Sequence, residues 1–373
     1  MNHNINATID TLPTPALLVD GQRVHRNINR LADYGRSHGI GIRPHTKTHK
    51  SLAIARHQVA AGAVGLTVAK VGEAEPLLAA FGDGPADILI AYPTVDPARA
   101  SRVADLANRC TLRVALDTRQ AIAAVAGAAS RAGSTVGVLV DLDVGPGRTG
   151  VPSVDALVDL AEAVTHAPGL RLDGIFFYPG HIWSEPAEQA DPLQRVADTL
   201  AEACDRFDRA GLSREVVSGG STPTAYQSHL VPQATDVRPG TSVFNDLNTL
   251  RGGFCSADDI AATILATVVS DAVAGQVVLD AGSKTLTSDR CVPAPESGYG
   301  FLPAYPEATI TKLTEEHAQV DIRQCPKPPA VGERLTIIPN HICPCVNLQD
   351  VAWWQEPDGS LHPLTIDGRG RLS

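Results

Sequence analysis

The stretch LRVALDTRQAIAAVAGAASRAGSTVGVLVD, residues 112–141, decides the fold. It opens on an apolar run at 112–117, continues through an alanine-rich stretch of helical period at 120–132, and closes on a second apolar run at 136–141. Short strands separated by a helix are the signature of parallel βα architecture. The same alternation runs outward in both directions. Strand-like runs fall near residues 41–45, 65–68, 88–92, 112–117, 136–141, 173–178, 215–218 and 236–238, most of them separated by a helical stretch. Eight such strands predict an α/β fold with a closed (β/α)8 barrel, whose reactive residues come from the C-terminal strand ends.

Beyond Leu250 the texture changes to Val- and Ile-rich runs at 261–269, 276–280, 320–322 and 335–338, broken by Pro and Gly clusters. These predict a second, mostly β domain. The run at 16–20 precedes the first barrel helix, 23–38, and has no barrel position left, so it is expected to pair with the C-terminal strands. The expected division is a barrel over residues 21–252 and a β domain assembled from 1–20 and 253–373.

Composition bounds the function. A chain of 373 residues with 43% hydrophobic content can bury a sizeable core. Its formal charge of −10 opposes nucleic-acid binding, which rests on clustered Lys and Arg. A small-molecule ligand fits better. Seven cysteines, at positions 110, 204, 255, 291, 325, 343 and 345, form no regular framework and point to a reducing cytoplasm. No apolar run approaches the length of a membrane span, and the first fifteen residues lack the apolar core of a signal peptide.

Three motifs carry chemistry. The octapeptide RPHTKTHK, residues 43–50, follows the first barrel strand and sets Lys47 among histidines, threonines and other cations. Crowding of cations disfavours an ammonium and favours a free amine able to attack a carbonyl, so Lys47 is a Schiff-base candidate. Two small-residue loops, VSGGST at 217–222 and RPGTS at 238–242, end the seventh and eighth strands, where barrels bind phosphate. Glycine lets the backbone approach an anion closely. In the segment PNHICPC, 339–345, an extended backbone would place His341 and Cys343 on one face, a nitrogen and sulfur pair suited to zinc. Cys345 continues that alternation as a possible further ligand, unless Pro344 turns it away. The run GPGRTG at 145–150 formally satisfies a dinucleotide fingerprint, yet it follows the fifth strand, whereas a dinucleotide fold places that turn after its first. Arg148 within it is better read as a cation aimed into the barrel mouth.

The octapeptide resembles the cofactor-lysine signature of the D-serine dehydratase and D-threonine aldolase family, pyridoxal-phosphate enzymes with an alanine-racemase-like barrel. The resemblance extends to GEAE at 72–75, ILIAYP at 88–93, the phosphate loops and the C-terminal PNHICP segment. It implies that Lys47 forms the internal aldimine with pyridoxal 5′-phosphate. Gly219, Gly220, Ser221, Thr222, Gly240 and Thr241 would hold the phosphate, and Arg148 would face the pyridine nitrogen. Tyr178 would border the cofactor, His181 would lie close to the substrate, and Thr67 would reach the phenolic oxygen. Family barrels usually pair, which implies a homodimer.

The metal pair then separates two reactions. A cysteine at the second position, as in His341-Ile342-Cys343, resembles the zinc-dependent dehydratases, whereas the aldolases show an acidic residue there and prefer harder ions such as Mn2+ or Mg2+. The implied activity is dehydration of a D-3-hydroxy amino acid, such as D-serine or D-threo-3-hydroxyaspartate, to a 2-keto acid and ammonia. The alternative is retro-aldol cleavage of D-threonine to glycine and an aldehyde. A racemase would need a second base opposite Lys47, which the sequence does not identify, and a non-catalytic cofactor carrier would have no use for the metal pair.

Overall fold

The computed structural model describes residues 8–373; the opening seven residues of the expected β domain lie outside the described residues. The chain packs into two compact units. Residues 29–47, 54–240 and 370–373 form one, and residues 8–28, 48–53 and 241–369 form the other.

In chain order the strands are β1 (Ala16–Asp20), β2 (Gly41–Ile42), β3 (Leu66–Val68), β4 (Asp87–Ile90), β5 (Thr111–Leu116), β6 (Val136–Leu142), β7 (Leu170–Phe177), β8 (Val216–Gly219) and β9 (Asp236–Val237). They continue with β10 (Ala262–Ser270), β11 (Gln276–Leu279), β12 (Thr309–Leu313), β13 (Ala318–Asp321), β14 (Arg334–Ile337), β15 (Val351–Gln355) and β16 (Leu361–Thr365). β2 to β9 form one parallel sheet in the order β2-β9-β8-β7-β6-β5-β4-β3. Its two ends meet. His45 bridges Thr67, and Val64 N donates to Ile42 O at 2.9 Å, Thr67 N to Pro44 O at 2.9 Å and Thr46 N to Thr67 O at 2.8 Å. These bonds close the (β/α)8 barrel.

The strands read as near-continuous apolar runs because helices cover a parallel sheet, and every residue of β6 is buried. The intervening helices start and stop where local chemistry dictates. Thr118 and Ser153 cap the helices Arg119–Ala132 and Val154–Thr165 by accepting from Ala121 N at 3.2 Å and Ala156 N at 3.3 Å. Gly133, at φ +63°, ends the first of these in the left-handed conformation.

On one face of the barrel strands Leu89, Ala115, Leu139 and Phe176 form a buried cluster. The same unit also buries charge, which the apolar reading of the strands did not predict. Arg43 Nε meets Asp236 Oδ2 at 3.0 Å and its Nη1 pairs with Asp87, which also takes Arg113 Nη1 at 2.6 Å. Glycines make the room: a Cβ on Gly65 would lie 2.0 Å from Arg43 Nη1, and one on Gly137 would lie 2.5 Å from Asp173 Oδ2.

In the other unit the remaining strands follow the order β12-β13-β11-β10-β1-β15-β16, with β14 on β10. β1 pairs antiparallel with β10 and parallel with β15, so the segment at 16–20 does join the C-terminal strands. The sequence reading missed β12, β15 and β16. No helix among the described residues is long and apolar enough to cross a membrane.

Candidate active site

Lys47 lies in the turn after β2 with its side chain exposed, and its backbone N–H donates to His45 Nδ1 at 3.4 Å. The other cations of the octapeptide are engaged elsewhere. Arg43 is held between Asp236 and Asp87, and Lys50 Nζ donates to Asn347 Oδ1 at 2.7 Å.

The phosphate loops are brought together with this turn by main-chain bonds. His45 N donates to Pro239 O at 3.1 Å, and Gly240 N donates to Thr222 Oγ1 at 3.2 Å. Gly219 and Gly220 shape the cradle. A Cβ on Gly219 would lie 1.9 Å from the Phe177 ring, and Gly220 turns the chain at φ +80°. Ser221 is buried, its hydroxyl 3.0 Å from Thr224 Oγ1. Such a cradle, with small residues and donor groups beside an exposed lysine, fits a phosphorylated aldehyde cofactor.

The loops after β6 and β7 meet in the same unit. The Arg148 guanidinium lies 4.5 Å from the Tyr178 ring centroid, and a Cβ on Gly145 would lie 2.7 Å from the imidazole of His181. Gly145 sits at φ +130° and leaves that space open. The 145–150 loop turns its N–H groups onto carboxylates outside it: Gly145 N and Gly147 N donate to Asp143 Oδ1 at 2.9 and 3.2 Å, and Gly150 N to Asp117 Oδ2, past β5, at 3.2 Å. Three of the N–H groups a dinucleotide phosphate would need are therefore engaged. Thr67 is fully buried on β3 and donates its hydroxyl proton to Arg43 O at 3.1 Å.

Sequence reasoning missed Arg238 and Asp141. Arg238 is buried, donating to Ser218 Oγ and Phe177 O at 2.8 Å and lying 3.8 Å from the Phe176 ring centroid. Burial lowers its pKa to about 10 despite Asp236 and Asp141. Burial also pushes the Asp141 carboxyl up to about 6, against the bond from Thr149 and the charge of Arg238.

In the other unit His341 and Cys343 converge, though not on a strand. Residues Ile342–Asn347 form a short helix with His341 as its extended N-cap residue, so the alternation expected from an extended segment does not apply. The helix sends Cys345 into the core. Its thiol is fully buried, donates to Leu286 O and His341 O at 3.3 Å, and has its pKa raised by burial. Cys343 Sγ instead donates to Thr48 Oγ1 at 3.2 Å and lies 3.7 Å from Thr241 Oγ1. Thr48 directly follows Lys47 in the chain.

Asp246 builds this corner. Its Oδ1 accepts from Thr249 N at 3.0 Å and its Oδ2 from Ile342 N at 3.1 Å, so one buried carboxylate caps two helices. His341 Nδ1 lies 2.9 Å from Asp289 Oδ2. Burial opposes an imidazolium here, but Cys343, Asp246 and Asp289 outweigh it and push His341 up to about 9. Surroundings that favour a cationic ring also favour a divalent cation, and the nitrogen and sulfur donors fit a borderline-soft one. Among the described residues no group of three or more His, Cys, Asp or Glu is arranged to hold a metal.

The closed parallel barrel thus carries a lysine past its first strand and glycine loops past its last two, at the C-terminal strand ends where barrel enzymes place their sites. Residues 19–247 match the family model "Alanine racemase, N-terminal domain", and residues 261–353 match "Putative serine dehydratase domain". D-threo-3-hydroxyaspartate dehydratase of Delftia sp. (strain HT23) is 34% identical over 360 residues, 90% of this chain and 92% of that one. The structure of D-threonine aldolase from Filomicrobium marinum superposes with a TM-score of 0.88 at 29% identity, over 98% of both chains. A cysteine-to-alanine variant of D-threo-3-hydroxyaspartate dehydratase in the metal-free form gives 0.86 at 30% identity, over 96% of this chain and 98% of that one. The chain belongs to the D-serine dehydratase and D-threonine aldolase family, and it is a pyridoxal-phosphate-dependent lyase.

Proposed function

We propose that this lyase dehydrates D-3-hydroxy amino acids such as D-serine or D-threo-3-hydroxyaspartate, giving a 2-keto acid and ammonia, with zinc as its metal. The observation that carries the reading is the His341 and Cys343 pair beside Asp289. Thiolate sulfur and imidazole nitrogen suit zinc, whereas Mg2+ and Mn2+ favour oxygen donors. Pyridoxal phosphate, when bound, supplies an electron sink for charge at the substrate's α carbon. Zinc, when bound, supplies a Lewis acid for the β-oxygen.

The chain's own residues do the rest. Lys47 anchors the cofactor through its amine and takes the α-proton. Gly219, Gly220, Ser221, Thr222, Gly240 and Thr241 offer N–H and hydroxyl donors to the phosphate. Arg148 holds the pyridine nitrogen's side, stacked on Tyr178. His181 orients the substrate, and Thr67 borders the phenolic oxygen. His341 Nε2 and Cys343 Sγ would hold the metal. Loss of the α-proton and the β-hydroxyl amounts to loss of water, and the enamine released hydrolyses to keto acid and ammonia.

Whole-chain likeness to a D-threonine aldolase favours a second reading, retro-aldol cleavage with Mn2+ or Mg2+. A product assay decides. Keto acid from D-serine or D-threo-3-hydroxyaspartate, lost on chelation while the cofactor's visible absorption persists, is expected; glycine from D-threonine with no keto acid from either would overturn the dehydratase reading. We also place the protein in the cytoplasm, supported by seven free cysteines, as a homodimer whose mass by light scattering would be twice 39.2 kDa.

A further inference from the structure

We infer that Asp289 is a positioning residue that fixes the imidazole of His341 so that Nε2 is the nitrogen offered to the metal, with Thr48 orienting the Cys343 sulfur. The inference rests on the metal-pair reading above. With Nδ1 2.9 Å from Asp289 Oδ2, an Nδ1–H donated to the carboxylate leaves Nε2 as the nitrogen on which a metal would take the place of a proton. A carboxylate behind a ligating histidine sets its tautomer, limits its rotation and raises its basicity. Thr48 is fully buried and 3.2 Å from Cys343 Sγ, so its hydroxyl accepts from the thiol and turns to donate once the sulfur is a thiolate.

The backbone supports the same assignment. Three described non-glycine residues have positive φ, namely Lys50 at 50°, Asn245 at 54° and Thr287 at 64°. Each serves the segment that carries the pair. Lys50 Nζ donates to Asn347 Oδ1 at 2.7 Å, at the end of the Ile342–Asn347 helix. Asn245 directly precedes Asp246, which caps Ile342 N. Thr287 accepts from Asp289 N through its Oγ1 at 3.3 Å, and Asp289 O accepts from Asn340 Nδ2 at 2.9 Å. A β-branched residue at positive φ costs conformational energy, and such strain gathers where a site must be held in one geometry. Stability is a poor alternative reason for the contact. The Asp289 and His341 side chains are 47% and 37% exposed, and ion pairs that open contribute little to folding.

The test uses the full-length holoprotein stripped of metal with a chelator and dialysed. Zn2+ affinity is read by competition with a chromogenic chelator, and site geometry from the ligand-field bands of added Co2+. Asp289→Ala should bind Zn2+ about 10- to 100-fold more weakly than wild type and shift the Co2+ bands, with the thermal midpoint little changed. Asp289→Asn should lose less, because its amide oxygen still accepts while its charge is gone, and Thr48→Val should alter the Co2+ bands. If Asp289→Ala fails to fold, Asp289→Asn decides. Zn2+ affinity within about twofold of wild type and an unchanged Co2+ spectrum in the folded aspartate variants would overturn the positioning role. Wild type that binds neither ion more tightly than His341→Ala would instead overturn the metal-pair reading itself.

Discussion

Arg43→Met tests whether the first residue of the cofactor-lysine segment is a structural cation. Arg43 is 4% exposed and Asp236 3% exposed, with Nε and Oδ2 3.0 Å apart. Methionine fills a similar volume but leaves Asp236 with the hydroxyl of Ser218 and the nearby Arg238. Asp87 is less affected, because it keeps Arg113 Nη1 at 2.6 Å. One buried carboxylate therefore loses its main partner, for which removal of the cation costs about 3–5 kcal/mol. Neutralising both partners should recover part of that loss, since Arg43→Met with Asp236→Asn removes the unpaired carboxylate while buried Arg238 keeps only Asp141 as its countercharge. The assay is urea denaturation followed by circular dichroism, with midpoints and slopes for each variant. A single-variant loss below about 1 kcal/mol, or a double variant less stable than the single, would refute the reasoning.

Three further outcomes are expected. Lys47→Ala should abolish the visible absorption of the reconstituted protein, and wild type that stays colourless with added pyridoxal phosphate would refute the lysine assignment. Gly219→Ala places a Cβ 1.9 Å from the ring of Phe177, which is 1% exposed; overpacking should cost the fold about 1–3 kcal/mol, read from urea midpoints, and weaken pyridoxal phosphate binding, read by titrating the apoprotein. Asp141, pushed up by burial to about 6 from 3.8, stabilises the fold below its unfolded value and loses that contribution as pH rises through about 6. Asp141→Asn should therefore gain on wild type by about 3 kcal/mol between about pH 4 and pH 8, and a pH-independent difference in denaturation midpoints would contradict it.

The barrel was legible because its signal is local. Every strand of a parallel sheet buried on both faces is an apolar run, as in residues 136–142, and helices between them carry their own caps at Thr118 and Ser153. The missed β16 shows the limit: its inward residues Leu361 and Leu364 are spaced unevenly around Pro363, so no clean alternation marks it. The 339–345 segment failed differently. Its H-x-C spacing is the same on a strand or at a helix start, and Asp246, nearly a hundred residues earlier, makes it a helix by capping Ile342 N.

By itself the sequence determined the fold class, the position of Lys47 just past the first barrel strand and the pairing of the 16–20 run with the C-terminal strands. Periodicity and strand order are properties of neighbours in the chain. Only the tertiary structure decided which cations are buried, that Cys345 enters the core while Asp289 lies against His341, and that the glycine loop at 145–150 turns its N–H groups onto Asp143 and Asp117. Those outcomes depend on burial and on partners from distant segments, and burial decides which charges must be paired.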